Sequence, residues 1–268
     1  MGYKVDAYSD IGTRKNVNQD ALLIKRAKVK NIGEICMGVL CDGMGGLSCG
    51  EVASSAFVDR MDVWFRKELP GLLSGQGATA LLSDEGLSTG NENIDINLVF
   101  SQIEDQWFNI VRDMNERLKA YGNSNGIKLG TTVVAIIFLG DKYLAMNVGD
   151  SRAYKFNRRA LSLISHDHSY VQQQIDLGRM TEEEALVSDK KSILLQCIGA
   201  SEVATPEFYN GVTDRGQHYL LCSDGLWRKL SAKEMIKIAP QRNGIRKLSE
   251  LVMKRGESDN ISGLIISV

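Results

Sequence analysis

The stretch TTVVAIIFLGDKYLAMNV, residues 131–148, decides the fold, because it holds two apolar runs separated only by the turn signal LGDK at 139–142. Both runs are rich in β-branched and aliphatic side chains, which is typical of β-strands. Strands joined by so short a turn pair antiparallel, since a parallel pair needs a long crossover. The stretch therefore predicts an antiparallel hairpin.

Short apolar runs rich in β-branched residues recur along the chain and predict further strands. They are KVDAY, ALLIK, EICMGVLC, ALSLI, HYLLC and ISGLIISV. Two long segments instead repeat apolar residues every three to four positions, Val52 to Phe65 and Val99 to Leu118, which predicts amphipathic helices. Further helices are expected at 168–177, 181–187, 231–239 and 244–255. Strands group with strands and helices come in pairs, so the chain is predicted to be an α+β layered sandwich.

Composition excludes several classes of protein. Of the 268 residues, 43% are hydrophobic and 24% are charged, and the formal net charge is -1. This balance gives no reason to expect nucleic acid or an anionic membrane surface as a partner. The sequence has neither an apolar secretion signal nor a stretch near the ~18 apolar residues that span a bilayer. Because Cys36, Cys41 and Cys222 lie in strand-like runs without a Cys-x-x-Cys pair, we expect buried free thiols and a cytoplasmic chain.

One segment breaks the texture of an otherwise uniform single domain, 1–268. From 70 to 93 the chain is rich in Gly, Ser, Thr and Asn, and it is interpreted as a mobile acidic loop that joins two antiparallel helices. Docking of a partner on this loop is the alternative to a merely solvated connection.

Four aspartates stand where strands end or turns begin: Asp20, Asp42, Asp224 and Asp259. Any one of them would ordinarily be a cap or a turn former, but Asp42 and Asp224 each follow an apolar strand and precede a glycine. Ligands made only of oxygen suit the hard cations Mg²⁺ and Mn²⁺, whereas three histidines without a ligand spacing argue against zinc. Two cations sharing one carboxylate would activate water and clamp a phosphoryl group, so hydrolysis of a phosphate ester is the natural reaction.

Seven motifs in chain order carry a resemblance to a known family: SDIGTRKNVNQDAL, VLCDGMGG, GTTVVAIIF, NVGDSRAY, HDHS, LLCSDGLW and SDNIS. Together they resemble the signature series of the metal-dependent type-2C protein serine/threonine phosphatases, in their compact bacterial form, over nearly the whole chain. The resemblance implies a four-layer α/β/β/α sandwich, in which helix pairs flank two antiparallel sheets. It also implies a site for two Mn²⁺ or Mg²⁺ ions at one edge of the sandwich.

The resemblance assigns a role to each matching position. Asp42 would bridge both metal ions and Gly43 would offer its carbonyl to one of them. Asp224 and Asp259 would hold the other ion, and Asp20 would support the water that attacks the phosphate.

The resemblance places the arginine that binds the substrate phosphate in the family at the position of Lys15, and Arg14 precedes it. An arginine fork binds phosphate through two hydrogen bonds, whereas a lysine binds as a point charge. Both residues stay candidates for the catalytic phosphate contact, and we favour Arg14.

Other departures from the family pattern concern a third ion and the flap. Lys128 stands where many relatives have an aspartate for a third metal ion, so a third ion is doubtful, with Asp150 as the remaining contact. The flap-like segment at about 167–204, called the flap below, lacks the His-Pro and Arg of relatives, so its substrate selection should be atypical. Asp167 at its start is expected to cap the helix that follows.

The resulting functional prediction is hydrolysis of phosphoserine and phosphothreonine in proteins by water activated at two metal ions. The expected partners are phosphoproteins made by a cognate serine/threonine kinase, and the chain is expected to be a monomer. The alternatives are a phosphoprotein-binding scaffold of the same fold with weakened catalysis, and a two-metal phosphodiesterase. The near-neutral charge disfavours the phosphodiesterase.

Overall fold

A computed structural model describes residues 2–30, 32–44, 49–74 and 95–268. The strands are β1 (Lys4–Asp10), β2 (Asp20–Val29), β3 (Gly33–Asp42), β4 (Val133–Leu139), β5 (Lys142–Val148), β6 (Arg152–Phe156), β7 (Leu161–Leu163), β8 (Glu207–Val212), β9 (His218–Cys222) and β10 (Ile261–Ser267). The helices are α1 (Gly50–Lys67), α2 (Leu69–Leu73), α3 (Ile96–Asn125), α4 (Tyr170–Asp176), α5 (Glu182–Val187), α6 (Asp224–Trp227), α7 (Ala232–Ile238) and α8 (Gly244–Lys254).

The strands form two antiparallel five-stranded sheets, ordered β1-β10-β9-β6-β7 and β2-β3-β4-β5-β8. The hairpin predicted from residues 131–148 is present as β4 and β5, with Leu139 paired to Lys142. The sheets face each other, and Phe138 of β4 meets Tyr219 of β9 edge to face with their ring centroids 4.8 Å apart.

Helices cover the outer face of each sheet, which confirms the predicted four-layer sandwich. The apolar stripes of α1 and α3 pack on the second sheet, and Trp64 meets Trp107 edge to face between them, with their ring centroids 5.3 Å apart. Helices α6, α7 and α8 pack on the first sheet around Leu226, Met235 and Leu248. Three apolar layers thus hold the four layers of secondary structure together.

Most predicted elements are confirmed, within a few residues at each end. The predicted loop at 70–93 starts too early, because residues 70–73 belong to α2 and only 75–93 lie outside the described residues. Cys36, Cys41 and Cys222 are buried and free, as expected. In the described part of the chain, no helix is long and apolar enough to cross a bilayer.

Candidate metal centre

The predicted aspartates lie together at one end of the sandwich. Strand β2 begins at Asp20 and antiparallel β3 ends at Asp42, so the two residues face each other directly across the sheet. Strand β9 ends and β10 begins at the same end, which brings Asp224 and Asp259 beside them. The connection from β5 to β6 adds Asp150.

The backbone around Gly43 is too tightly packed for a side chain. Its N–H donates to the Gln19 carbonyl at 3.0 Å. A Cβ on Gly43 would lie 2.4 Å from the Gly50 carbonyl oxygen and 2.5 Å from that of Gln19. Glycine thus lets the end of β3, the start of β2 and the first turn of α1 meet at the site.

Two threonines fix the backbone of Asp42. The Thr132 N–H and the Thr131 hydroxyl both donate to the Asp42 carbonyl, at 2.9 and 3.0 Å. The Asp42 N–H donates to the Thr132 hydroxyl at 3.1 Å. Sequence reasoning quoted the Gly-Thr-Thr motif without giving these residues a role, and the motif is the signal that pointed to them.

Asn260 is a second residue whose role the sequence reasoning missed. Its buried amide donates to the carbonyls of Ile11 and Val17 at 2.9 and 3.1 Å, and its oxygen accepts from the Gln19 N–H at 3.0 Å. One side chain at the start of β10 therefore clamps both ends of the loop that carries Arg14 and Lys15.

The carboxylates repel one another electrostatically. Burial, together with the charges of Asp224 and Asp259, raises the pKa of Asp20 to about 7. Burial together with Asp150, Asp259 and Glu257 brings the pKa of Asp224 to about 7 as well. The pKa of Asp42 rises well above its usual range through burial and then through Asp20 and Asp224. Groups so perturbed and so close together mark a functional site.

Two basic side chains, Lys15 and Arg228, form ion pairs with carboxylates of this cluster. Lys15 Nζ lies 2.7 Å from Asp259 Oδ1. Burial alone would lower the lysine's pKa, but the charges of Asp259, Asp42 and Asp224 raise it. Arg228 places Nη1 2.7 Å from Asp224 Oδ2. Arg14, in contrast, is exposed and makes no hydrogen bond or ion pair with any residue that the structure describes.

The donor set fits hard cations in its chemistry. Both carboxylate oxygens of Asp20 are shielded from solvent, and the nearby hydroxyls of Ser262 and Ser223 lower its pKa without reaching normal hydrogen-bond geometry within the described ranges. No three carboxylate, imidazole or thiol groups among the described residues already surround one point as ligands. Asp224 and Asp259 are instead paired with Arg228 and Lys15. Binding of a cation would require these carboxylates to be shared or released.

The prediction for Asp167 is wrong. The hydroxyl of Ser169 caps α4 by accepting from the Gln172 N–H. The nearly buried carboxylate of Asp167 takes the guanidinium of Arg152, with Nη2 2.8 Å from Oδ2. A charged partner on β6 therefore outcompetes the local helix terminus for this side chain.

Comparisons with known proteins agree with this architecture. The sequence profile described as "Protein phosphatase 2C" matches residues 12–259. A protein phosphatase 2C-type relative from Streptococcus pyogenes is 28% identical over 97% of this chain and 95% of its own length. The solved serine/threonine phosphatase of S. agalactiae superimposes with a TM-score of 0.77 at 27% identity, and the match covers 100% of both chains.

A further solved structure contains metal. The catalytic domain of the serine/threonine protein phosphatase PstP in complex with two manganese ions has a TM-score of 0.73 at 25% identity, covering 99% of this chain and 97% of that one. PstP of Mycobacterium tuberculosis is 30% identical over 85% of this chain and 40% of its own length. The profile match, the full-length relative and the shared fold lead to one conclusion: this chain belongs to the protein phosphatase 2C family.

Proposed function

We propose that this chain hydrolyses phosphoserine and phosphothreonine in proteins, with two Mn²⁺ or Mg²⁺ ions as cofactors. The observation that carries the proposal is the facing pair Asp20 and Asp42, surrounded by Asp224 and Asp259 at one end of the sandwich. Such a cluster of mutually repelling carboxylates is costly without cations to neutralise it. Membership of the phosphatase family and the two manganese ions of the PstP structure support the same reading.

In this proposal each carboxylate has a separate task. Asp42, whose backbone the two threonines fix, would hold the ions, and the Gly43 carbonyl would be a further ligand. Asp224 and Asp259, which lie near the C-terminal end of the sequence, would also bind the metal ions. Two bound divalent ions supply the means to polarise a phosphoryl group and to generate a nucleophile from water at neutral pH. Asp20, whose carboxylate oxygens make no hydrogen bond of normal geometry among the described residues, would accept hydrogen bonds from water at the site.

We assign the substrate phosphate to Lys15 rather than to Arg14, which the sequence favoured. Lys15 is half-buried beside Asp259 and feels the charge of Asp42 and Asp224, whereas Arg14 is exposed. A lysine binds phosphate as a point charge, so the contact fixes charge more than orientation. Phosphate binding would draw Lys15 away from Asp259 and free that carboxylate for a cation.

The proposed site takes two ions and not three. Asp150 is the remaining candidate ligand for a third ion, and as a single carboxylate, which also accepts from Arg228 Nη2 at 2.9 Å, it offers fewer donors than the cluster around Asp42. Lys128 stands at the position where the family resemblance implies a carboxylate for a third ion. An internal guanidinium thus supplies the positive charge near Asp150.

The test is phosphate release from a phosphothreonine peptide in millimolar Mn²⁺. The wild-type chain should release phosphate, and Asp42→Asn should abolish release. Asp113→Asn, on the exposed face of α3, serves as the matched control and should leave the rate unchanged. Peptide binding without turnover in the wild-type chain would favour the scaffold alternative, and cleavage of cyclic nucleotides would favour the phosphodiesterase.

The remaining expectations concern the cellular setting. We propose that 1–268 acts as a single, monomeric catalytic domain in the cytoplasm, on proteins phosphorylated by a cognate serine/threonine kinase. Light scattering on the purified chain tests the monomer. Phosphoproteomics of cells that carry Asp42→Asn tests the kinase partnership.

A further inference from the structure

Arg228 joins two carboxylates of the metal centre to the flap. Its Nη1 lies 2.7 Å from Asp224 Oδ2, and its Nη2 lies 2.9 Å from Asp150 Oδ2. The same Nη2 donates to the Lys191 carbonyl at 2.9 Å, and Nη1 reaches the Ser192 hydroxyl at 3.5 Å. Only 16% of the arginine side chain is exposed. One guanidinium therefore connects two parts of the molecule that are otherwise separate in function.

Few hydrogen bonds hold the flap at the point where Arg228 contacts it. The Tyr170 N–H donates to the Ile193 carbonyl and the Leu195 N–H to the His168 carbonyl, which ties this stretch only to the flap's own beginning. The side chains of Lys191, Ser192 and Ile193 are exposed. Within the described residues, hydrogen bonds from Arg228 thus link this stretch to the carboxylate cluster.

A cavity gives the arginine somewhere to move. A space of about 460 Å³ lies between the flap and the helices on the first sheet, and its lining includes Asp150, Asp167, Lys191 and Arg228. The guanidinium borders this space, so it has room to leave Asp224 while it stays beside Asp150. Asp167 offers a further negative charge in the same cavity.

We propose that Arg228 is a positioning residue that couples cation binding at Asp224 to release of the flap. A divalent cation competes with the guanidinium for the Asp224 carboxylate, because both need its negative charge. When Arg228 gives up Asp224, its hold on Lys191 and Ser192 weakens, and the flap opens toward substrate. The inference rests on the proposed function, since it takes Asp224 to be a ligand. It adds that the flap responds to the metal.

Coupling of this kind is reciprocal. If the cation loosens the flap by a given factor, opening of the flap must tighten cation binding by the same factor. Removal of the arginine takes away both the flap contact and the competitor for Asp224, so it should also tighten cation binding. Couplings between sites typically amount to ~5–150-fold. Arg228→Gln should therefore bind Mn²⁺ more tightly by a factor within that range.

The test is amide hydrogen exchange across 190–195 with and without Mn²⁺, combined with calorimetric titration of Mn²⁺. In the wild-type chain, Mn²⁺ should accelerate exchange of these amides ~5-fold or more. In Arg228→Gln they should exchange fast under both conditions. The control is Arg246→Gln, whose arginine pairs with Glu250 on the exposed face of α8, and it should behave as the wild type.

Each outcome decides the proposal. Exchange at 190–195 that ignores Mn²⁺ in the wild-type chain overturns it, and this measurement needs no variant to fold. An Mn²⁺ effect that persists in Arg228→Gln, or a variant affinity equal to the wild type, also overturns it. Failure of the wild-type chain to bind Mn²⁺ would remove the proposed function as well, so the two failures are distinguishable.

Discussion

Gly225→Ala is the substitution that most directly probes how the metal centre is assembled. Gly225 follows Asp224 at the start of α6, and a Cβ there would lie 2.2 Å from the carbonyl oxygen of Asn260. Carbon and oxygen in favourable contact lie ~3.3–3.6 Å apart, so the two backbones must separate by roughly 1 Å. The substitution therefore moves Asp224 away from the segment that carries Asp259 and Asn260.

The expected effects follow from that displacement. Overpacking of this kind costs ~1–3 kcal/mol of unfolding free energy, and each kcal/mol lowers Tm by roughly 2–4 °C in a protein near this size. A misplacement of ~1 Å at a reacting centre reduces kcat/KM by about 100-fold.

Scanning calorimetry and phosphopeptide hydrolysis in saturating Mn²⁺ measure the two effects. Gly71→Ala is the matched control, because nothing lies within 4 Å of a Cβ at that helical position. It should be neutral or stabilising by ~0.5–1 kcal/mol. Wild-type Tm and kcat/KM in Gly225→Ala would refute the reasoning.

Three other perturbations separate the roles of the site residues. Lys15→Met should raise KM by ~10–100-fold through loss of a charged contact to phosphate, whereas Arg14→Met should stay within about twofold; equal effects in steady-state kinetics would contradict the assignment. Without metal, unfolding free energy should fall as pH rises from about 4 to about 7, because folded Asp20 and Asp224 keep protons up to a pKa of about 7 whereas the unfolded carboxyls ionise near 3.9. Urea unfolding in chelator at several pH values measures this dependence of unfolding free energy on pH. Added Mn²⁺ should restore the lost free energy above pH 7. An unfolding free energy that does not change with pH would count against the buried cluster. Asn260→Ala should lower unfolding free energy by ~2–4 kcal/mol, since three backbone groups lose their partner, and an unchanged urea midpoint would contradict the clamp.

The fold was largely predictable because its strands are short apolar runs and its long helices carry clear stripes. Strand β6, RAYKF, was missed because its charges hide its pattern: Arg152 lies 3.4 Å from the centroid of the Trp227 ring, and that contact depends on the fold. Strand β8 lies at a sheet edge and buries none of its residues fully, so it has no apolar run. Helix α6 is only four residues long and has no periodicity to detect.

At the candidate site, sequence motifs predicted which carboxylates come together. They did not predict which basic side chains pair with those carboxylates. The choice between Arg14 and Lys15 depends on a loop that Asn260 clamps from 241 residues away, and no local pattern carries that information. Arg228 is followed by Lys229 in the stretch WRKL, and two adjacent basic residues are typical of a solvent-exposed surface. Long-range contacts of this kind follow only from the packed structure.

In the proposed function, the carboxylates around Asp42 hold two divalent cations. Anomalous diffraction from crystals of the chain soaked in Mn²⁺ tests it most directly. We expect two manganese peaks that share the Asp42 carboxylate, with Asp224 and Asp259 among their ligands. Peaks that lie elsewhere, or the absence of any peak at this end of the sandwich, would contradict it.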